Sequence, residues 1–322
     1  MKAVVLAGGY ATRLWPITKD RPKMFLPVGD RVVVDRIFDA LEADDRVDEV
    51  FVSTNARFAD EFEAHLAERD YEKPTLSVED TTGESEKFGV IGALEQLVER
   101  ENINDDLLVV AGDNVISFDL AGFIDFFESK GTPSLAAYDV GSRERAKSYG
   151  LVALDGETVV DFEEKPEEPS STLVSIACYA FPAATLPKLS TYLEAGGNPD
   201  EPGWFIQWLQ ERGPVHAFAF DGAWFDIGTP ESYLDAVGWE LDGSTRIADE
   251  ATVKASSLGE NVHVLGDAEV VDSTLTETVV FPGATIRDAD VRRSIIDEET
   301  LVEDMDLAGA LVGAHTRLPS EE

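Results

Sequence analysis

The chain has 322 residues, 43% of them hydrophobic, which suggests two domains, or one large domain with an appendage, able to bury a sizeable core. Acidic residues number 64 against 26 basic ones, a formal charge of −38. That balance disfavours a nucleic-acid partner, because phosphate backbones need clustered cations.

The lone cysteine, Cys178, excludes an internal disulfide and a cysteine zinc site. No apolar run approaches the roughly 18 residues of a membrane span. The first strand begins almost at once, at Lys2, so no signal peptide and a cytoplasmic enzyme are expected. Acidic residues occur throughout rather than in one tail. The composition resembles that of proteins from salt-accumulating halophiles; an ordinary acidic protein is the alternative.

In chain order, Lys2–Leu6, Glu49–Ser53, Leu107–Ala111 and Ser134–Asp139 read as strands. Val34–Leu41, Ala56–Glu68, Lys87–Glu99 and Leu120–Ser129 read as helices by the spacing of their apolar residues. This alternation predicts an α/β unit, Rossmann-like, with a mostly parallel mixed sheet. From about 150 to 226 strands dominate: Leu151–Leu154, Thr158–Glu163, Leu173–Phe181 and Val215–Phe220, with helices near 204–212 and 230–241. After about 245 helical spacing disappears. Apolar residues recur every five or six positions, as Leu275, Val280, Ile286, Val291, Ile296, Leu301, Leu307, Val312 and Leu318. A short rung with one buried aliphatic suits a parallel β-helix, expected to be left-handed, with "FPGATI" (281–286) the clearest rung. The expected boundary gives a catalytic domain at 1–243 and a β-helix at 244–322.

The stretch "LAGGYATRLWPITKDRPKMFLP" (6–27) follows the first strand. It lacks the third glycine of a dinucleotide fingerprint and the Gly-Lys-Ser/Thr of a P-loop. Its Gly8 and Gly9 would let backbone N–H groups approach an anion, with Arg13 and Lys23 adding positive charge. Asp113 in "AGDN" and Asp226 in "WFDIGTPESY" each follow an apolar stretch. Taken alone, Asp113 could be a turn residue. Asp226 could cap the helix near 230, although Thr229 before Pro230 is the better candidate. Glu163, Glu164 and Lys165 could be a solvated face.

Taken in order, the opening loop, "AGDN" (111–114), "SYGLV" (148–152), "FEEKP" (162–166) and "WFDIGTPESY" (224–233) resemble the motifs of sugar-1-phosphate nucleotidylyltransferases. The resemblance covers residues 1 to about 240. The thymidylyltransferases that act on glucose 1-phosphate share the "GDN", "YG" and "EEKP" wording closely. It implies that Leu6, Gly8, Gly9, Thr12, Arg13, Gly83 and Asp113 meet the nucleotide, and that Tyr149, Gly150, Glu164 and Lys165 meet the sugar phosphate. Mg2+ would be held by Asp113 and Asp226, and Lys23 would neutralise phosphate near the reaction centre. The catalytic set is then Arg13, Lys23, Asp113, Lys165 and Asp226.

The implied reaction joins an NTP and a sugar 1-phosphate into an NDP-sugar and releases pyrophosphate. The first expectation is glucose 1-phosphate with dTTP or UTP; the alternative is mannose 1-phosphate with GTP, which "TRLWP" and "FDIGTPESYLDA" also resemble. A non-catalytic regulatory subunit that binds nucleotide sugars is a reading of another class, opposed by the complete catalytic set. An acyltransferase working from the tail would need a base, and His263 and His315 are the only histidines there. No nucleic acid or membrane partner is expected, and a homo-oligomer is. The tail is expected to stabilise or oligomerise the enzyme without supplying chemistry. Three departures stand out: Ala11 replaces a family glycine, "DTTGESEKFGVIGA" (80–93) replaces the usual base-contacting segment, and "NPDEPGWFIQWL" (198–209) replaces one that supplies a glutamate.

Overall fold

Lys2–Leu6 is the hub of a nine-stranded sheet in the computed structural model, which describes residues 1–79 and 88–318. It pairs in parallel with Glu49–Asn55 on one side and Leu107–Ala111 on the other. Ala3, Val4 and Val5 are fully buried, as expected of a short apolar run covered on both faces. Pro74–Glu79 adds a fourth parallel strand beyond Glu49–Asn55. Beyond Leu107–Ala111 the sheet becomes mixed. Leu173–Phe181 runs antiparallel to it, followed by Ser134–Asp139, His216–Ala219, Thr158–Glu164 and Gly150–Asp155. The mostly parallel mixed α/β sheet expected from the sequence is therefore present.

The helices Val90–Arg100, Pro187–Glu194 and Pro202–Gln210 bury Leu94, Leu97, Leu189, Tyr192, Phe205 and Ile206 in one core with Val4, Val109 and Phe181 of the sheet. Helix Ala59–Glu68 starts three residues later than its apolar spacing suggests. The side-chain oxygen of Asn55 accepts from the N–H groups of Arg57 and Phe58, at 3.0 and 3.2 Å, and holds those residues in a turn.

Contacts divide the chain into two compact bodies. The first comprises Met1–Gly9 and Asp35–Trp224, and holds the whole nine-stranded sheet. The second comprises Tyr10–Val34 and Phe225–Glu322. Its C-terminal part is three parallel sheets of five, five and four strands, visited in rotation. Along one sheet His263 pairs with Val279, Val279 with Ile295 and Ile295 with Leu311, an advance of 16 residues per turn. This arrangement is consistent with the expected β-helix. One expected core position shifts: Leu301 pairs with Thr285 at the rim, while Val302 follows Ile286 into the fully buried interior. Strand alternation turns neighbouring side chains to opposite faces, which a recurrence counted in fives and sixes does not resolve.

The coil turns its corners through left-handed residues in three columns. Asp272, Asp288 and Asp304 form one, Asn261, Glu277, Arg293 and Gly309 the second, and Asp267, Gly283, Glu299 and His315 the third. Asp and Asn tolerate this conformation better than most residues. The chain's acidity is thus partly built into its corners.

Candidate functional site

In the first body, the carboxyl ends of the parallel strands carry Gly8, Asn55, Glu79 and the turn holding Asp113. Gly112 N–H donates to the Leu6 carbonyl at 2.9 Å, tying the turn before Asp113 to the end of the first strand. Asn55 Nδ2 donates to the Gly8 carbonyl at 3.0 Å. The Glu79 carboxylate lies beside Gly8: a Cβ on Gly8 would stand 3.3 Å from Glu79 Oε1. Ser53 Oγ donates to that same oxygen at 3.0 Å. Burial raises the Glu79 carboxyl above the usual range, and the Ser53 hydrogen bond opposes the rise. Leu6, Gly8, Gly9 and Asp113 thus lie on one rim. Gly83 lies outside the described residues. Glu79 and Asn55 were not foreseen; each is the last residue of a strand, and only strand pairing brings them beside Gly8.

The sugar-phosphate motifs meet in a second place within the same body. Gly150–Asp155 and Thr158–Glu164 pair so that Glu164 stands opposite Gly150. Lys165 N–H donates to the Tyr149 carbonyl at 3.2 Å, holding Lys165 in the left-handed region at φ 47°. That conformation costs a non-glycine residue about 1–2 kcal/mol, as strain kept at functional positions often does. The Lys165 ammonium pairs with Glu201, a residue that the sequence did not single out. Glu201 lies within 198–209, the segment that departs from the family pattern.

Two glycines make room for Glu164. A Cβ at Gly203 would fall 1.5 Å from Glu164 Oε2, and one at Gly150 would fall 2.9 Å from that atom and 2.3 Å from Phe162 Cζ. Burial, reinforced by the Glu201 carboxylate, pushes the Glu164 carboxyl up to about 7 against the pull of the Lys165 ammonium. Tyr149, Gly150, Glu164 and Lys165 are therefore brought together.

The second body holds the opening loop. Thr12–Leu14 forms a single 3-10 turn, and Lys23–Phe25 another. Ala11 adopts the left-handed conformation, φ 49° and ψ 41°, so the backbone keeps a glycine-like shape without the glycine. Its carbonyl accepts from Leu14 N–H at 3.0 Å and from Thr18 Oγ1 at 2.8 Å, which pins the loop. Arg13 is exposed and Lys23 half-buried. A Cβ at Gly228 would stand 2.7 Å from Arg13 Nη2 and 3.1 Å from Asp226 Oδ1, so the guanidinium and the carboxylate flank one glycine. Asp226 does not cap the following helix. Thr229 does, in a reciprocal box with Ser232, with Pro230 at the first helical position.

The donor chemistry fits a hard cation. Asp113 and Asp226 offer carboxylate oxygens, and among the described residues no group of three or more His, Cys, Asp or Glu could hold a metal. Mg2+ needs only one or two carboxylates when phosphates complete its shell. The tail histidines fit an acyl-transfer base poorly. His263 is 2% exposed, and burial lowers its imidazole to about 4. His315 is a left-handed corner residue of the coil.

The family profile described as Nucleotidyl transferase matches residues 2–241. A Sulfolobus acidocaldarius protein assigned as a mannose-1-phosphate guanyltransferase is 31% identical over 235 residues, covering 73% of this chain and 61% of that protein. A UTP–glucose-1-phosphate uridylyltransferase from Synechocystis is 29% identical over 252 residues, covering 74% of this chain and 62% of that protein. The chain thus spans roughly three fifths of the length of these curated relatives. Among solved structures, one assigned as a Bacillus anthracis glucose-1-phosphate thymidylyltransferase, in complex with sucrose, superposes with a TM-score of 0.65 at 25% identity. It covers 75% of this chain and 96% of its own. No described helix is long and apolar enough to cross a membrane.

Proposed function

Because the chain belongs to the nucleotidyl transferase family, we propose that it transfers a guanylyl group from GTP to a sugar 1-phosphate, with mannose 1-phosphate the preferred acceptor. The observation that carries the choice of base is the Glu79 carboxylate beside Gly8. Guanine presents two adjacent donors, N1–H and N2–H, which a carboxylate accepts as a pair. Uracil and thymine present one donor between two carbonyl acceptors, and a carboxylate there meets a repelling oxygen. Bound guanine would favour the ionised form of Glu79 and so pull its raised pKa back down. The likeness to the Sulfolobus protein supports the same choice.

In this reading a sugar-phosphate oxygen attacks the α-phosphorus, one P–O bond forms, and the bond to the β-phosphate oxygen breaks to release pyrophosphate. The protein forms no covalent intermediate. Arg13 and Lys23 balance the triphosphate charge, and Lys165 holds the sugar phosphate while Glu164 accepts from sugar hydroxyls. Such a site works by positioning two anions and stabilising growing charge. Asp113 and Asp226 are the proposed Mg2+ ligands, and the ion would neutralise charge that develops on the phosphates. The three-sheet coil is proposed to wind left-handed.

Glucose 1-phosphate with dTTP or UTP is the second reading, supported by the likeness to the Bacillus anthracis structure. Pyrophosphate release from a matrix of nucleotides and sugar phosphates, with Mg2+ in molar KCl, separates the two. GTP should lead, and Glu79→Gln should shift preference toward UTP or dTTP. A wild-type enzyme that prefers a pyrimidine nucleotide would remove Glu79 as a guanine reader.

A further inference from the structure

The coil presents one corner column to the opening loop. Phe281, Asp297 and Gly313 follow the paired strands that end in Val280, Ile296 and Val312, each 16 residues apart. All three touch the loop, and all belong with it in the second body. Arg21 Nη2 lies 2.7 Å from Asp297 Oδ1 and 3.1 Å from Glu298 Oε1. The same guanidinium stacks over the Phe281 ring, 4.9 Å from its centroid. One turn further, Gly313 leaves space for Pro16: a Cβ there would stand 2.7 Å from the proline Cγ.

This is a built contact rather than a chance surface pair. Asp297 and Phe281 are each only 2% exposed. The Asp297 carboxylate also accepts from Glu298 N–H at 2.9 Å, so its direction is fixed by its own backbone. A buried carboxylate without a cation beside it is costly, and Arg21 is the cation supplied. Arg suits the place because its flat guanidinium both pairs and stacks, which an ammonium does not. Arg21 lies two residues before Lys23, and Pro16 three after Arg13. Both cations of the loop are thus carried on backbone that the column grips at two points.

We propose that the column Phe281–Asp297–Gly313 positions the nucleotide-binding loop, so that Arg21 and Asp297 act as positioning residues for the transfer reaction. The tail, expected from sequence only to stabilise or oligomerise, then sets the placement of Arg13 and Lys23. The inference rests on the proposed transferase reading for its kinetic consequence, but not for its structural one.

The test uses the full-length chain, as wild type, Asp297→Asn and Phe281→Leu. Val302→Ala serves as control, because Val302 is fully buried in the coil and lies on a different sheet from the column. Two readouts are taken: GTP and sugar-phosphate kinetics, and hydrogen exchange of backbone amides across 12–25. Asp297→Asn should lower kcat/KM for GTP roughly ten- to hundredfold, the scale of a small misplacement of reacting groups. The KM for sugar phosphate should stay unchanged, and exchange across 12–25 should rise. Val302→Ala should lower the thermal midpoint and move neither readout. Phe281→Leu should act like Asp297→Asn in weaker form, and it carries the test if Asp297→Asn does not fold. Unchanged loop exchange in a folded Asp297 or Phe281 variant, or an equal effect from Val302→Ala, would overturn the proposal. If wild type releases no pyrophosphate from any nucleotide, the transferase reading fails, and loop exchange still decides the positioning role.

Discussion

Replacing Gly203 by alanine should separate activity from stability. The new Cβ would fall 1.5 Å from Glu164 Oε2 and 2.6 Å from its Cδ, well inside any non-bonded contact, so the carboxylate must leave its slot. Those atoms are the far end of a flexible side chain, and a rotamer change costs about 1 kcal/mol. The Phe162 ring edge, 3.0 Å away, must yield by a few tenths of an ångström. Against this, alanine gains up to about 1 kcal/mol over glycine in a helix, and Gly203 lies in Pro202–Gln210. Net stability should therefore change little. Catalysis should change a great deal, because hydrogen bonds to a charged group are worth about 1.5–3 kcal/mol, or roughly ten- to hundredfold in kcat/KM. Initial rates of pyrophosphate release against sugar phosphate, paired with a thermal melt, measure both. The KM for the nucleotide should hold. A folded Gly203→Ala enzyme with wild-type kcat/KM for sugar phosphate would show that Glu164 does not touch the sugar.

The pH dependence follows from the same slot. Efficiency toward sugar phosphate should rise as pH passes upward through about 7, where Glu164 gives up its proton and becomes a pure acceptor. Glu201→Gln removes a repelling carboxylate and should move that midpoint to lower pH; superimposable profiles would deny the coupling. In stability the sign is opposite. The folded carboxyl titrates above its ordinary 4.5, so its favourable contribution is complete below 4.5 and is lost as pH rises to about 7. Glu164→Gln should flatten that decline in a set of thermal melts. Finally, the −38 charge implies self-repulsion that salt relieves. The thermal midpoint should climb between about 0.2 and 2 M KCl, a range in which the Debye length falls from about 7 Å to under 3 Å. A flat or falling midpoint would refute the halophilic reading.

Much of the fold was legible because its signals are local. Lys2–Leu6, Leu107–Ala111, Ser134–Asp139 and Leu173–Phe181 stand where their apolar runs put them. Thr229 and Pro230 announced their helix correctly. The edge strand Pro74–Glu79 was missed: it opens with a proline and only Pro74 and Ser77 are buried, so it carries little apolar pattern. Helix Pro187–Glu194 was missed for a similar reason, burying only Leu189 and Tyr192. At the site, the motif residues could be read because each lies in a short contiguous stretch of sequence. Glu79 and Glu201 could not, because their importance arises from neighbours distant in sequence, Gly8 in one case and Lys165 in the other. The turn length of 16 was hidden inside a recurrence of five and six, since it is their sum over three sides that repeats.

The two segments of the second body, Tyr10–Val34 and Phe225–Glu322, lie at opposite ends of the chain. Synthesis runs from the first to the last. The motif loop therefore leaves the ribosome early, and the column that grips Pro16 and Arg21 is finished only when Gly313 has been added. Until then a nascent chain carries every motif residue from Leu6 to Asp226 but lacks the packing that orders the loop. On the proposed positioning role, a chain released before Asp297 would hold the motif residues without the column that positions their loop.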